Sequence, residues 1–176
     1  MSDNLKEWLK DAGFAILLAF LVLQFIMPTV VKERSMENTL IDGDYLIVSK
    51  KAYKLFGEAE RGDIIVFQSK IPIAGTDTKK LLVKRIIAVG GDTIAIQDGE
   101  VYVNGEKLSE SYIKDGTTNG TFPETLVPEG YLFCMGDNRL VSRDSRDASV
   151  GFINLDDVKG KVVFRLFPFS KFGTIE

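Results

Sequence analysis

Lys84 lies in the middle of the apolar run at residues 81–89. Side chains alternate along a β-strand, so Lys84 would share a face with Leu82, Ile86 and Ala88, and its neighbour Arg85 would point the other way. A lysine that loses solvation has a pKa below its usual value of about 10.4, which makes it a possible general base near neutral pH. The alternative is a lysine on an edge strand whose ammonium reaches water, and the strand pattern alone favours that alternative.

The composition restricts the partners that such a base could have. The chain of 176 residues contains no histidine and one cysteine. The absence of imidazole excludes Ser-His-Asp triads, Cys-His dyads and zinc sites that need histidine. A single thiol excludes an internal disulfide and a Cys₄ metal site. A hydrolase with this composition would need a carboxylate, an amine or a metal-bound water as its base.

Two other segments carry groups that could act with Lys84. Ser35 follows a long apolar run, and taken alone it is an ordinary loop serine. Residues 136–147, GDNRLVSRDSRD, alternate Asp and Arg and could form ion pairs that hold a loop rigid beside a site. The alternative is a solvated turn whose exposed salt bridges contribute little. A calcium loop is a weaker alternative, because the Asp-x-Asp-x-Asp spacing is absent.

The N-terminal region predicts a membrane anchor. Residues 12–31, AGFAILLAFLVLQFIMPTVV, contain no charge, and about 20 apolar residues suffice to span a bilayer. We therefore predict a short N-terminus at 1–11 and a transmembrane segment at 12–31. A cleaved signal peptide would have a basic lead and a small-residue cleavage site, and a buried core helix would be amphipathic. Lysines on both sides of the run leave its orientation undecided.

The remainder, residues 32–176, has the pattern of a mostly β domain. Short apolar runs rich in Val and Ile alternate with turn signals, and Asp98-Gly99 predicts a two-residue hairpin turn. The runs lie at 45–48, 63–67, 81–89, 93–96, 101–103, 131–135 and 161–166. Residues 106–128 are polar and predict a loop-rich excursion, and a short helix is possible within 48–58. The net charge of −3, without clustered positive charge, argues against a nucleic-acid partner.

Four motifs, in this order, resemble those of bacterial type I signal peptidases, and more closely those of the Gram-positive type. They are Ser35-Met36-x-x-Thr39-Leu40, GDIIVF at 62–67, VKRIIAVGGD at 83–92, and GDNR at 136–139 with Ser142-x-Asp144-Ser145-Arg146. The resemblance covers nearly the whole chain. It implies a transmembrane helix followed by an all-β catalytic domain, shared with repressor-type proteases, that carries a small β-hairpin insertion at about 93–130.

The resemblance also implies roles for individual residues. Ser35 matches the nucleophile, Lys84 the general base, and Ser142 the hydroxyl that orients the lysine. The backbone N–H of Ser35 matches an oxyanion-hole donor. The positions that match supporting groups are two ion pairs, Asp144 with Arg146 and Asp137 with Arg85, together with Ser145. The positions that match substrate-binding residues are Val31, Met36, Leu40, Leu82 and Val83. The resemblance implies no metal or cofactor.

Three positions depart from the family pattern. Asn38 stands where proline is usual, Arg34 replaces a small or acidic residue, and Glu33 stands where glycine or serine is usual. In some members a serine hydroxyl at the Glu33 position completes the oxyanion hole. An ionised carboxylate cannot donate a hydrogen bond, so Glu33 cannot supply that contribution.

The function implied is that of a monomeric, single-pass serine endopeptidase of the cell membrane, with its catalytic domain on the extracytoplasmic side. Its substrates would be exported preproteins with small residues one and three positions before the cut, and its other partner the lipid bilayer. One alternative is a non-catalytic relative that binds peptides or assists surface-protein assembly, such as that of pili. Another, a soluble self-cleaving repressor, would need a DNA-binding helix pair where this chain has an apolar segment.

Overall fold

A computed structural model describes residues 3–55 and 57–175 of the chain. One long helix, α1 (Asp3–Phe25), precedes a predominantly β fold, and α2 (Ala52–Leu55) is a single turn. The strands are β1 (Ile26–Val30), β2 (Tyr45–Ser49), β3 (Ile64–Pro72), β4 (Lys79–Val89), β5 (Thr93–Gln97), β6 (Glu100–Val103), β7 (Glu106–Lys107), β8 (Phe122–Leu126), β9 (Tyr131–Met135), β10 (Ile153–Asn154), β11 (Val158–Phe167) and β12 (Gly173–Thr174). The predicted mostly β class with an N-terminal helix is confirmed.

The apolar N-terminal run is divided between a helix and a strand. Helix α1 begins before residue 12 and ends at Phe25, whereas residues 26–30 form β1 and pair with β2. The predicted end of the span at residue 31 is therefore wrong. Pro28 lacks an N–H and disfavours helix before it, and Thr29 and Val30 are β-branched, so this segment favours an edge strand. The segment Asn4–Phe25 is long and apolar enough to cross a membrane.

The large sheet places Lys84 on an interior strand. Its order is β1-β2-β11-β3-β4-β9-β10, with β12 paired to β11. β4 thus has neighbours on both sides, with Ile65 opposite Lys84 on β3 and Met135 opposite Arg85 on β9. Lys84 is 1% exposed. The alternative of an edge-strand lysine that reaches water is therefore wrong.

The predicted alternation along β4 holds only for its first part. Leu82 and Ile86 pack into one core cluster, as the pattern requires. The register against β9 then shifts between Ile86 and Ala88, and Ile87 and Ala88 both pack into a different cluster. Ala88 therefore does not continue the face of Lys84, because a bulge interrupts the period of two.

The insertion is a second, small sheet with the order β7-β6-β5-β8. Asp98 and Gly99 join β5 to β6 with φ values of 53° and 80°, as a two-residue turn of type I′ requires. The region is more than the predicted hairpin, because β8 (Phe122–Leu126) forms within the predicted loop at 106–128 and pairs with β5. Its segment between β7 and β8 reaches the candidate site.

Candidate active site

Ser35 and Lys84 meet at the centre of a cleft. The Nζ atom of Lys84 lies 2.7 Å from Ser35 Oγ and donates a second hydrogen bond of 3.0 Å to the carbonyl oxygen of Val83. Ser35 lies in the turn after β1, which closes when Leu40 N–H donates to the Met36 carbonyl oxygen at 2.8 Å. The rigid β4 strand and this short turn therefore bring the two predicted residues into contact.

Burial sets the protonation of Lys84. Loss of solvation lowers the pKa of Lys84 to about 8, and the negative charge of Asp144 opposes this fall most strongly. Glu33 and Cys134 also raise this pKa, and Lys80 lowers it. An amine with a pKa near 8 is neutral in about a tenth of molecules at pH 7, and this fraction rises as the pH increases.

Gly136 allows the closest approach in the site. A Cβ atom on this residue would lie 2.3 Å from both Ser142 Oγ and the Ser35 carbonyl oxygen. The Ser142 hydroxyl therefore lies next to the backbone of Ser35. It is buried, and within residues 3–55 and 57–175 it has no hydrogen-bond partner. The structure thus brings Ser142 to the site, but without the hydrogen bond to Lys84 that the resemblance implies.

The loop after β9 is held by a buried ion pair. The Nε and NH2 atoms of Arg146 donate to the two Asp144 oxygens at 2.8 and 2.9 Å, and Gly136 N–H donates to Asp144 at 3.0 Å. Ser145 ties the same loop to β9: its N–H donates to the Cys134 carbonyl oxygen at 3.0 Å, and Cys134 N–H donates to Ser145 Oγ at 2.9 Å. The Asp-Arg segment is therefore a braced loop and not a solvated turn.

The second predicted ion pair lies on the opposite face of β4. Arg85 donates to both Asp137 oxygens, from Nε at 3.0 Å and from NH2 at 2.9 Å, and both residues are buried. Arg85 NH1 also donates to the Gly62 carbonyl oxygen at 2.9 Å, and its guanidinium lies 4.1 Å from the ring centre of Tyr112. This pair joins β4 to the GDNR motif behind the site.

Asn138 was assigned no role by sequence, although it lies in the GDNR motif. Its N–H donates to the Ser35 carbonyl oxygen at 3.0 Å, and its Nδ2 donates to the Arg34 carbonyl oxygen at 3.1 Å. These two bonds fix the backbone on both sides of the Ser35 N–H. The motif was the signal that could have identified this residue.

The segment at 110–118 also contacts the site, and nothing in its own sequence indicates this. Glu110 accepts a 2.9 Å hydrogen bond from Arg139 NH1, and Arg139, which is 1% exposed, donates from Nε to the Gly136 carbonyl oxygen at 3.1 Å. Lys114 N–H donates to the Asp137 carbonyl oxygen at 3.0 Å. We call residues 110–118 the strap, because they hold the GDNR motif from outside the large sheet.

Two cavities meet at Ser35. One, of about 510 Å³, is mainly apolar, and Val31, Met36 and Val83 of the predicted substrate-binding residues line it. The other, of about 500 Å³, contains Lys84 and Leu82 together with polar and charged residues. Leu40 lines neither cavity. Its N–H closes the turn that carries Ser35, and its side chain is fully buried in a core cluster.

Comparisons with known proteins agree with the motifs. A family model described as signal peptidase, peptidase S26, matches residues 5–167. Signal peptidase I of Bacillus licheniformis is 37% identical, covering 96% of this chain and 92% of that protein. Signal peptidase I T of Bacillus subtilis is 38% identical, covering 97% and 89%. Signal peptidase IB of Staphylococcus aureus is 35% identical, covering 98% and 94%.

A crystal structure of a signal peptidase I from Enterococcus faecalis covers 59% of this chain and 96% of that chain, with 32% identity and a TM-score of 0.48. The family model matches most of the sequence, and the curated relatives match nearly all of it. The chain therefore belongs to the signal peptidase family, peptidase S26, a family of serine endopeptidases.

Proposed function

We propose that this chain is a membrane-bound endopeptidase that cleaves signal peptides from exported preproteins, with Ser35 as its nucleophile and Lys84 as its general base. The observation that carries the proposal is the 2.7 Å contact between Lys84 Nζ and Ser35 Oγ at a buried position. Burial lowers the pKa of Lys84 to about 8, so a neutral amine is available without a histidine.

The reaction has two stages. Neutral Lys84 accepts the proton of the Ser35 hydroxyl while Oγ attacks the scissile carbonyl carbon, and the Ser35 backbone N–H donates to the oxyanion that forms. Lys84 then returns the proton to the leaving amine, which leaves the signal peptide as an ester on Ser35. Water attacks this ester with Lys84 again as the base, the bond to Oγ breaks to release the signal peptide as a carboxylic acid, and Lys84 returns the proton to Ser35 Oγ. The Val83 carbonyl oxygen, which accepts a 3.0 Å hydrogen bond from Lys84 Nζ, orients the amine toward Ser35.

The apolar cavity supports small residues one and three positions before the cut. Its walls come from the segment after β1 and from the first half of β4, so an extended peptide would lie between them. Val31 and Met36 are 5% and 1% exposed, which leaves a closed aliphatic floor. A peptide with small side chains at alternate positions can lie close against this floor, and larger side chains there would hold its backbone away from Ser35.

Two features support attachment to a bilayer. Helix α1 exposes large apolar side chains along its length, among them Phe14 and Ile16. At the β1–β2–β11 edge of the large sheet, Phe167 packs edge-on against Tyr45 and Phe169 with ring centres 6.0 and 5.6 Å apart, and Phe169 is 79% exposed. We place α1 across the cell membrane and residues 32–176 on the extracytoplasmic side, as a monomer whose aromatic edge contacts the lipid surface.

The test is cleavage of a preprotein that carries Ala-x-Ala before its cut, with the full chain in lipid vesicles. We expect Ser35→Ala and Lys84→Ala each to lower kcat/KM by at least about a thousandfold. Lys107→Ala removes an exposed lysine on the small sheet and serves as the matched control. Full activity in either site variant would contradict the dyad. An inactive wild type would favour a peptide-binding relative without catalysis.

A further inference from the structure

Glu33 and Lys80 form an ion pair across the cleft. Glu33 lies two residues before Ser35, and Lys80 lies four residues before Lys84 on β4, where residues 80, 82 and 84 share a strand face. Their side chains are 43% and 42% exposed, so the pair is open to a ligand in the cleft. The two walls of the cleft are thus joined twice, at Ser35–Lys84 and at Glu33–Lys80.

The position of this ion pair relative to the cavities is informative. Glu33, Ser35 and Lys80 line both the apolar cavity and the polar cavity. A peptide whose scissile bond lies at Ser35 and whose chain continues from one cavity into the other must therefore pass the ion pair. Glu33 occupies a position that is usually glycine or serine in the family. Here it pairs with Lys80, and its ionised carboxylate cannot donate a hydrogen bond to an oxyanion.

We infer that the Glu33–Lys80 pair determines which charges the substrate groove accepts beside the scissile bond. This inference rests on the proposed function. With both partners present, their two charges cancel at this point of the groove, which suits small uncharged substrate residues there. With one partner removed, the remaining charge attracts a substrate side chain of the opposite sign and repels one of the same sign.

The pair also acts on the base. The side chains whose charges act on Lys84 near neutral pH are Asp144 and Glu33, which raise its pKa, and Lys80, which lowers it; burial keeps the Cys134 thiol protonated. Loss of the Glu33 charge should therefore lower the pKa of Lys84, and loss of the Lys80 charge should raise it. If the ion pair served only to hold the loop, removal of Glu33 and removal of Lys80 would not shift the pKa of Lys84 in opposite directions.

The experiment uses the full chain in lipid vesicles and a set of quenched fluorescent peptides. All peptides carry alanine one and three positions before the cut, and each of the remaining nearby positions is in turn Gln, Glu or Lys. The variants are Glu33→Gln, Lys80→Gln and the charge exchange Glu33→Lys with Lys80→Glu. Glu100→Gln and Lys107→Gln are matched controls, since that pair is similarly exposed, 3.0 Å long and outside the cleft.

We expect the charge exchange and both controls to cleave Glu and Lys peptides in the same ratio as the wild type. At the position that faces the pair, the ratio of kcat/KM for the Glu peptide to that for the Lys peptide should rise in Glu33→Gln and fall in Lys80→Gln, each by about two- to fivefold relative to wild type. The rising limb of the pH–rate profile should move to lower pH in Glu33→Gln and to higher pH in Lys80→Gln.

Identical charge preferences in both single variants at every position would overturn the inference, as would shifts of the pH–rate profile in the same direction. These outcomes differ from failure of the proposed function. If the wild type leaves even the uncharged Gln peptides intact, the assignment as a peptidase fails first, and no specificity remains to be explained.

Discussion

Replacement of Lys84 by methionine should stabilise the protein at neutral pH while it abolishes cleavage. Methionine has a similar length and carries no charge, so it fills the space beneath Ser35 without the cost of a buried ammonium. Lys84 is 1% exposed, and the pKa of its amine falls from 10.5 to about 8. The group that the proposed reaction requires therefore lowers the stability of the folded chain.

The size of this stabilisation can be derived from the same fall in the pKa of Lys84. It corresponds to about 3 kcal/mol of differential interaction between the protonated and neutral forms. Between pH 8 and pH 10.5 the unfolded chain binds more protons at this lysine than the folded chain, so wild-type stability rises with pH across that window. The buried ammonium lowers the free energy of unfolding by its full amount below pH 8 and no longer lowers it above pH 10.5. Methionine also removes the hydrogen bonds to Ser35 and Val83, a loss of about 1 kcal/mol each.

The assay is denaturant unfolding of wild type and Lys84→Met in detergent, at pH values below, within and above that window. We expect the free energy of unfolding of the variant, relative to wild type, to fall by about 3 kcal/mol from the lowest pH to the highest. Ser35→Ala keeps the amine and should follow the wild type in its dependence on pH. A difference between Lys84→Met and wild type that is constant across the window would refute the depressed pKa.

Three further predictions test other parts of the structure. Glu110→Ala leaves the guanidinium of Arg139 buried without its carboxylate, so the free energy of unfolding, measured by thermal unfolding, should fall by about 3–5 kcal/mol. Glu100→Ala, which removes one partner of an exposed pair, should lower it by less than about 1 kcal/mol. Gly136→Ala introduces a Cβ atom 2.3 Å from the Ser35 carbonyl oxygen; kcat should fall by about a hundredfold, and unchanged kinetics would contradict that packing. Phe169→Trp combined with Trp8→Phe leaves a single tryptophan, whose fluorescence brominated lipids should quench; no quenching would remove the aromatic edge from the membrane surface.

Local patterns predicted much of the fold. The alternating runs and the Asp98-Gly99 turn are properties of neighbouring residues, so they could be identified without knowledge of the rest of the chain. The end of α1 could not be identified in this way, because the apolar composition continues unchanged from Phe25 into β1. What makes residues 26–30 a strand is their pairing with β2, some twenty residues later. The interior position of β4 likewise depends on distant strands β3 and β9.

The candidate site also contains some residues that the motifs could identify and others whose place depends on the rest of the fold. The family motifs identified Ser35, Lys84 and both ion pairs, and the structure brings each pair together. Leu40 was assigned to the substrate surface because the motif does not show which way its side chain points. The strap was not predicted because its partners lie in the GDNR motif, some twenty to thirty residues further along the chain. The sequence of a polar segment does not show whether its charged groups are solvated or pair with a buried arginine.

The central claim, a buried lysine as the base for Ser35, is tested most directly by the pH dependence of kcat/KM for the wild type. We predict a rate that rises with pH and has its midpoint near pH 8, where Lys84 loses its proton. The chain contains no histidine that could supply a midpoint closer to neutrality. A rate that is constant from neutral to alkaline pH, or a midpoint in the range of carboxylates at about pH 4, would contradict the account.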